Sequence, residues 1–189
     1  MELQKAKAIA TAICYKLQPY CSKINIAGSI RRQKPEVKDI EIICVPDQEV
    51  VKDLFDNILT MHNNYGFDKT VKALGNILKG QTTGKYMQIA LPEGINLDLF
   101  MPDDFDYYRQ YAIRTGSADY AHKVIASSWL KKGWCGSDKG LRLITDCYKD
   151  NSGNWKCGKK DAELPPVWSS EEQFFEWLGV KWVHPSQRV

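Results

Sequence analysis

The sequence predicts an α+β fold: a mixed sheet with flanking helices, followed by a small α+β subdomain. Apolar residues at helical spacing near the N-terminus predict a first helix, and short β-branched runs predict strands after it. Beyond Pro102 the chain becomes rich in aromatic residues and mainly helical. We therefore predict two domains, residues 1–104 and residues 105–189.

The composition is that of an ordinary globular protein. Of the 189 residues, 43% are hydrophobic and 26% are charged, which excludes a disordered chain. No apolar run reaches the roughly 20 residues of a membrane-spanning helix, and the N-terminus lacks the features of an export signal. We expect a cytoplasmic, nucleoid-associated or viral monomer with no membrane partner, whose six cysteines are free thiols.

The first domain begins with a helix and two strands. Residues 3–18 carry the helical stripe, and residues 24–27 form a short strand that ends at a Gly-Ser pair. Residues 38–45 (KDIEIICV) form the next strand. Because side chains alternate along a strand, Asp39 and Glu41 share one face.

A helix and a strand hairpin complete this domain. Four apolar residues at helical spacing predict a helix over 48–60. Strands are predicted over 85–91 and 95–101, joined by the turn Pro-Glu-Gly. The second of these strands carries Asp98, so a third carboxylate can face the first two from a neighbouring strand.

The second domain combines helices with a small hairpin. An RTGS break divides its first helical segment, and residues 141–148 and 155–159 form a hairpin around the turn DNSGN. The segment SSEEQFFEWLGV predicts a last helix with a serine at its N-cap. All six tryptophans lie in this domain. They suit the core of a small domain, and stacking on nucleic-acid bases is the alternative.

The acidic residues and the Gly-Ser turn predict a site for phosphoryl chemistry. Adjacent carboxylates repel each other unless cations neutralise them, and Mg²⁺ binds such oxygens while keeping water and substrate phosphates as its other ligands. The turn at Gly28 and Ser29 offers backbone N–H groups and a hydroxyl to phosphate oxygens, and two arginines follow it. A structural turn with surface arginines is the alternative for the turn taken alone.

The order of these motifs resembles that of the family X DNA polymerases. GSIRRQKPEVKDIEIICVP resembles the palm signature of that family, in which GSxRR precedes Asp-x-Asp, and NLDLFMP resembles its third-carboxylate strand. KGQTTGKYMQI resembles the strand before it, and YAIRTGSADYAHK resembles the thumb around the TGS turn. The ending has the Trp-x-x-Pro-x-x-Arg pattern of the family. The chain resembles a minimal polymerase, with residues 1–104 as palm and residues 105–189 as a polymerase beta-like thumb.

The resemblance implies a nucleotidyltransferase that adds dNMP to a primer 3′-hydroxyl and releases pyrophosphate. The implied role is gap filling in repair or mobile-element replication, with a dNTP and primer-template or gapped DNA as partners. Two Mg²⁺ ions, which Mn²⁺ can replace, are the implied cofactors. Asp39, Glu41 and Asp98 are the implied ligands and catalytic residues, with Asp98 favouring deprotonation of the 3′-hydroxyl.

The resemblance also assigns residues to the nucleotide and the DNA. Ser29 and Arg32 would hold the β- and γ-phosphates in the turn that Gly28 shapes, and Lys85 would lie near the DNA. Three consecutive residues would form the turn beneath the nucleotide's sugar: Thr115, Gly116 and Ser117.

Several positions depart from the family pattern. Glu41 stands where aspartate is usual, which lengthens one ligand arm by a methylene. The other departures are Asn96 in place of an arginine, Ile113 and Arg114 in place of paired aromatics, and Ala121 and Ile125 in place of residues that contact base and template. Three hypotheses therefore stay open: a templated DNA polymerase, a template-independent or non-DNA nucleotidyltransferase, and a catalytically inactive DNA-binding module.

Overall fold

The computed structural model describes residues 1–188, with the side chains of residues 51, 52 and 61 outside the description. By its internal contacts the chain divides into two compact units, Met1–Tyr107 and Tyr108–Val189. No helix in the described part of the chain is long and apolar enough to cross a membrane.

The first unit is built on a five-stranded mixed sheet, which confirms the predicted α+β class. Its strands lie in the order β1-β2-β7-β6-β5, with β2 and β7 parallel and the other pairs antiparallel. In chain order its elements are α1 (Leu3–Leu17), β1 (Cys21–Ile26), α2 (Gly28–Arg31), β2 (Asp39–Pro46), β3 (Gln48–Lys52), β4 (Ile58–Asn63), α3 (Tyr65–Lys72), β5 (Asn76–Gly80), β6 (Tyr86–Ala90) and β7 (Asn96–Phe100).

Alternation along β2 and β7 separates a core face of the sheet from a polar face. Ile40 and Ile42 on β2 and Leu97 and Leu99 on β7 are fully buried in one cluster with residues of α1 and α3. Four residues that alternate with them are only half-buried: Asp39, Glu41, Asn96 and Asp98. The predicted common face of the acidic residues on β2 is therefore confirmed, and the sheet presents it away from the core.

The predicted helix over 48–60 is wrong, because this segment forms the hairpin β3–β4. The Asp53 carboxylate accepts hydrogen bonds from the backbone N–H groups of Phe55 and Asn57, at 2.8 and 2.9 Å, and so closes a tight turn. Such local bonds offer the backbone an alternative to the helix. The side chain of Val51, on which the helical pattern partly rested, lies outside the described residues.

The second unit has a core of aromatic residues. Trp129, Trp134 and Trp168 are buried with Phe174 and Phe175, and Trp177 and Trp182 pack against this cluster. The prediction that tryptophans fill the core is confirmed for these five, while the half-buried Trp155 is not among the residues of the cluster. After residues 107–131, which are mainly helical, two short hairpins follow and then a last helix. These elements are α4 (Tyr107–Thr115), α5 (Ala118–Tyr120), a π-helix (Ala121–Ala126), α6 (Ser127–Lys131), β8 (Trp134–Ser137), β9 (Gly140–Leu143), β10 (Cys147–Lys149), β11 (Trp155–Cys157) and α7 (Glu171–Leu178).

Two predictions for the second unit have different outcomes. The N-cap of α7 is confirmed, since the Ser170 hydroxyl accepts a hydrogen bond from the backbone N–H of Gln173 at 3.2 Å. The predicted strand over 141–148 is in fact two strands in different sheets, because a 3₁₀ turn over Ile144–Asp146 separates β9 from β10.

The six cysteines of the described residues are free thiols, as predicted. Cys135 on β8 is fully buried, and burial together with a hydrogen bond that its S–H donates to Cys147 raises its pKa to about 12. At pH 8 we expect iodoacetamide to alkylate Cys135 about a thousandfold more slowly in the folded protein than in urea, since the thiolate is the nucleophile and the unfolded thiol has a pKa near 9.0. Mass spectrometry of the labelled peptide measures both rates, and equal rates would contradict the prediction.

Candidate active site

Two of the predicted catalytic carboxylates lie directly opposite each other on neighbouring strands. In the parallel pair β2–β7, Glu41 is the register partner of Asp98, and Asp39 is the partner of Asn96. Residues opposite each other in a sheet project from the same face, so the three acidic residues share the polar face of this sheet. The position at which the family pattern commonly has an arginine is thus occupied here by the neutral Asn96, beside Asp39.

The Glu41 side chain reaches from β2 to the turn at Gly28, the first residue of α2. The backbone carbonyl of Glu41 accepts a hydrogen bond from the N–H of Ala27 at 2.8 Å, which holds this turn against β2. A Cβ added to Gly28 would lie 1.8 Å from Oε2 of Glu41 and 2.7 Å from its Cδ. Gly28 also has a φ of +60°, which a side chain disfavours. The Glu41 carboxylate therefore occupies the space in which the Cβ of any other residue at position 28 would lie.

Gly28→Ala should lower the free energy of unfolding by about 1–3 kcal/mol more than Gly94→Ala does, because it adds a steric clash. Gly94 is the matched control: its φ is +76°, and no atom lies within 4 Å of an added Cβ. Glu41→Asp combined with Gly28→Ala should recover part of the loss, since the shorter arm withdraws the carboxylate. Urea unfolding of these three variants and of Glu41→Asp alone, each compared with wild type, measures this coupling. Equal losses for the two alanine variants would contradict it.

The turn also holds a buried hydroxyl that no hydrogen bond satisfies. Ser29 Oγ has almost no solvent contact and no hydrogen-bond partner among the described residues. A buried polar group without a partner is costly, and a bound group that supplies an acceptor or donor would remove that cost. Arg32 follows α2 directly and is half-buried. Serine hydroxyl and guanidinium both suit phosphate oxygens.

Asp98 is held by two residues of β6 that the sequence analysis did not assign to the site. The Tyr86 hydroxyl donates a hydrogen bond to Oδ1 of Asp98 at 2.8 Å, and the amide Nε2 of Gln88 donates to the same oxygen at 3.0 Å. The signal for both lay in the alternation of KYMQI, which places Tyr86 and Gln88 on one face and the buried Met87 and Ile89 on the other.

Lys85, predicted to lie near DNA, is at the surface just before β6. Its ammonium forms a 2.7 Å ion pair with Asp103, and both side chains are at least half-exposed. An exposed pair of this kind contributes little to stability and can be exchanged for another anion. The contact between Lys85 and DNA stays a prediction, and an exposed ammonium at this position is compatible with it.

Within residues 1–188, no three His, Cys, Asp or Glu side chains are gathered closely enough to hold a metal ion by themselves. The reason is the direction of the side chains: Glu41 lies on Gly28, while Oδ1 of Asp98 is bound from β6. The donor set itself, carboxylate oxygens on one sheet face beside an unsatisfied hydroxyl, fits Mg²⁺. This ion commonly uses one or two carboxylates and takes its other ligands from water and phosphates.

The predicted Thr-Gly-Ser turn belongs to the second unit. Thr115 is buried and its hydroxyl donates a hydrogen bond to the carbonyl of Tyr111 at 2.7 Å. Gly116 has a φ of +59°, and the peptide bond that joins it to Ser117 is cis. The Ser117 hydroxyl accepts a hydrogen bond from the N–H of Tyr120 at 3.2 Å and so caps α5.

The C-terminal arginine supports this turn from within the second unit. The N–H of Ser117 donates to the backbone carbonyl of Arg188 at 3.2 Å. The Arg188 side chain is fully buried and forms two hydrogen bonds with the Glu171 carboxylate, at 2.8 and 2.9 Å. Trp182 donates to the same carboxylate at 2.8 Å. The sequence analysis did not predict the pairing of Arg188 with Glu171. The only signal for it in the sequence was the Trp-x-x-Pro-x-x-Arg ending.

The second unit is the part of the chain that matches a known family. Residues 111–189 match the DNA polymerase beta thumb. This match supports a relationship of the second unit with the family X DNA polymerases. The match includes the Thr-Gly-Ser turn and Arg188, whose backbone carbonyl binds that turn. A polymerase beta thumb implies binding of DNA. No curated protein matches the chain.

The thumb of this chain lacks polar groups at two positions after the turn. Ile125 is fully buried in the aromatic core, and Ala121 opens the π-helix with no functional group. His122, the next residue, is exposed. π-Helical turns often occur at functional sites, and here one begins where α5 ends, separated from the thumb's turn by the three residues of α5.

Proposed function

We propose that the protein is a palm-plus-thumb DNA polymerase that adds dNMP to a primer 3′-hydroxyl and releases pyrophosphate. One observation carries the proposal: in a chain with a polymerase beta thumb, Glu41 lies opposite Asp98 on one sheet face and packs on the Gly28 turn. Carboxylates beside an unsatisfied serine hydroxyl suit the transfer of a nucleotide from its triphosphate. Gap filling in repair or mobile-element replication is the role that we propose.

In the first unit, some residues would bind the nucleotide and others would take part in the reaction. Ser29 and Arg32 would bind the β- and γ-phosphates of the dNTP, and Gly28 would let the chain approach them closely. Asp39, Glu41 and Asp98 would hold the cations. Two Mg²⁺ ions, when bound, would neutralise the charge and polarise the reacting oxygens. Asp98 would accept or direct the proton of the primer 3′-hydroxyl at Oδ2.

A template-independent nucleotidyltransferase is the second candidate. The observation that favours it is the chemistry of the thumb after the turn, since Ala121 and the buried Ile125 offer no hydrogen bond to a base or a template strand. Without such contacts, these two side chains would not help to select a nucleotide that pairs with a template.

Primer extension on gapped, nicked and single-stranded DNA, with each dNTP supplied alone and with Mg²⁺ or Mn²⁺, tests the proposal. Extension on gaps by the complementary dNTP, at least tenfold faster than by mismatched dNTPs, supports the templated polymerase. Equal use of all four dNTPs, or of single strands, supports the second candidate. No extension and no metal-dependent dNTP binding would overturn both and leave an inactive DNA-binding module.

A further inference from the structure

Asp98 is bound from one side only. The strand β6 is the antiparallel neighbour of β7, and Gln88 is the register partner of Asp98. Tyr86 lies two residues before Gln88 on the same face. Both residues donate to the single oxygen Oδ1, at 2.8 Å from the hydroxyl and 3.0 Å from the amide.

These two hydrogen bonds distinguish the two oxygens of one carboxylate. β7 lies between β2 and β6, so Oδ1 is bound from the side away from Glu41. Within residues 1–188, no other hydrogen bond or ion pair reaches the Asp98 carboxylate. Its second oxygen, Oδ2, therefore accepts no hydrogen bond from the side chains that the structure describes.

The two donors fix the carboxylate without neutralising it. A phenol hydroxyl and a side-chain amide are both uncharged, in contrast to an arginine or lysine partner. The Tyr86 ring also packs against Phe100, with ring centroids 5.2 Å apart, which limits its rotation. One oxygen of Asp98 is thus held in place by donors that carry no positive charge of their own.

We propose that Tyr86 and Gln88 are positioning residues that make Oδ2 of Asp98 the oxygen that serves the cation and the reacting 3′-hydroxyl. The inference rests on the proposed function of this site. Partners that orient a ligating carboxylate change metal affinity or activity by about 10- to 100-fold when they are removed. Loss of either donor should free the carboxylate to rotate, so that the reactive arrangement is formed less often.

Tyr86→Phe and Gln88→Met remove the donors while keeping the ring and the approximate volume. We expect each variant to lower kcat for dNMP addition about tenfold and the double variant about a hundredfold, with KM for the dNTP within about twofold of wild type. Mn²⁺ binding to the protein alone, followed by the electron paramagnetic resonance signal of free Mn²⁺, should weaken about tenfold. Tyr15→Phe, which removes a hydroxyl from an exposed tyrosine, is the matched control and should change neither quantity.

The kcat of the double variant decides the inference. A kcat within twofold of wild type overturns it, as does a rise in KM with kcat unchanged, which would indicate a role in substrate binding. Failure of the proposed function itself is a different result: the wild-type protein would then neither extend a primer nor bind Mn²⁺ more tightly than an Asp98→Ala variant does.

Discussion

Asp98→Ala should abolish Mg²⁺-dependent primer extension, with a loss of at least about a thousandfold, while the protein stays folded. The carboxylate lies opposite Glu41, so its removal takes one of two facing ligands from the proposed cation site and the group that would direct the 3′-hydroxyl proton. Because Asp98 is half-buried on the polar face of the sheet, its loss leaves the core around Ile40 and Leu97 intact. Single-turnover extension of a gapped primer measures the effect.

Two further variants show whether the loss of extension in Asp98→Ala is caused by the missing charge. Asp98→Asn keeps an acceptor for Tyr86 and Gln88 but removes the charge, so an equal loss would assign the effect to charge rather than to side-chain packing. Asp47→Asn, at an exposed aspartate just after β2, should retain full activity. Extension by Asp98→Ala at the wild-type rate would show that the site has been assigned wrongly.

The part of this site that follows from alternation could be predicted from the sequence. In the first part of KDIEIICV, Asp39 and Glu41 alternate with Ile40 and Ile42, so the common face of the two acidic residues follows from the strand alone. The pairing of Glu41 with Asp98 could not be derived in this way. It depends on the register of two strands that are more than 50 residues apart, which only the packed sheet sets.

The errors of prediction arose where local hydrogen bonds or tertiary contacts outweigh periodicity. The apolar spacing over 48–60 is helical, yet the Asp53 carboxylate binds two backbone N–H groups and turns the chain into a hairpin. The buried pair of Arg188 and Glu171 was missed because charged residues are usually exposed, and the sequence does not show which ones find a partner.

Glu171→Gln should lower the stability of the second unit by about 3–5 kcal/mol. Arg188 and Glu171 have 0% and 4% of their surface exposed, so removal of the negative charge leaves a buried guanidinium without its counter-ion. The guanidinium also lies 4.8 Å from the Phe175 ring centroid, which prevents it from reaching water without a rearrangement of the core. For a unit of this size the midpoint of thermal unfolding should fall by at least about 12 °C.

Tryptophan fluorescence measures this change selectively, because all six tryptophans lie in the second unit. Glu172→Gln is the matched control: this neighbouring glutamate is exposed and should change the midpoint by less than about 2 °C. Glu171→Met combined with Arg188→Met should be more stable than Glu171→Gln, since replacement of both partners leaves no unpaired charge. The backbone carbonyl of Arg188 accepts a hydrogen bond from the N–H of Ser117. Glu171→Gln should therefore also loosen the Thr-Gly-Ser turn, and we expect a higher KM for the dNTP at temperatures below the unfolding midpoint. An unchanged midpoint in Glu171→Gln would mean that the pair does not hold the thumb together.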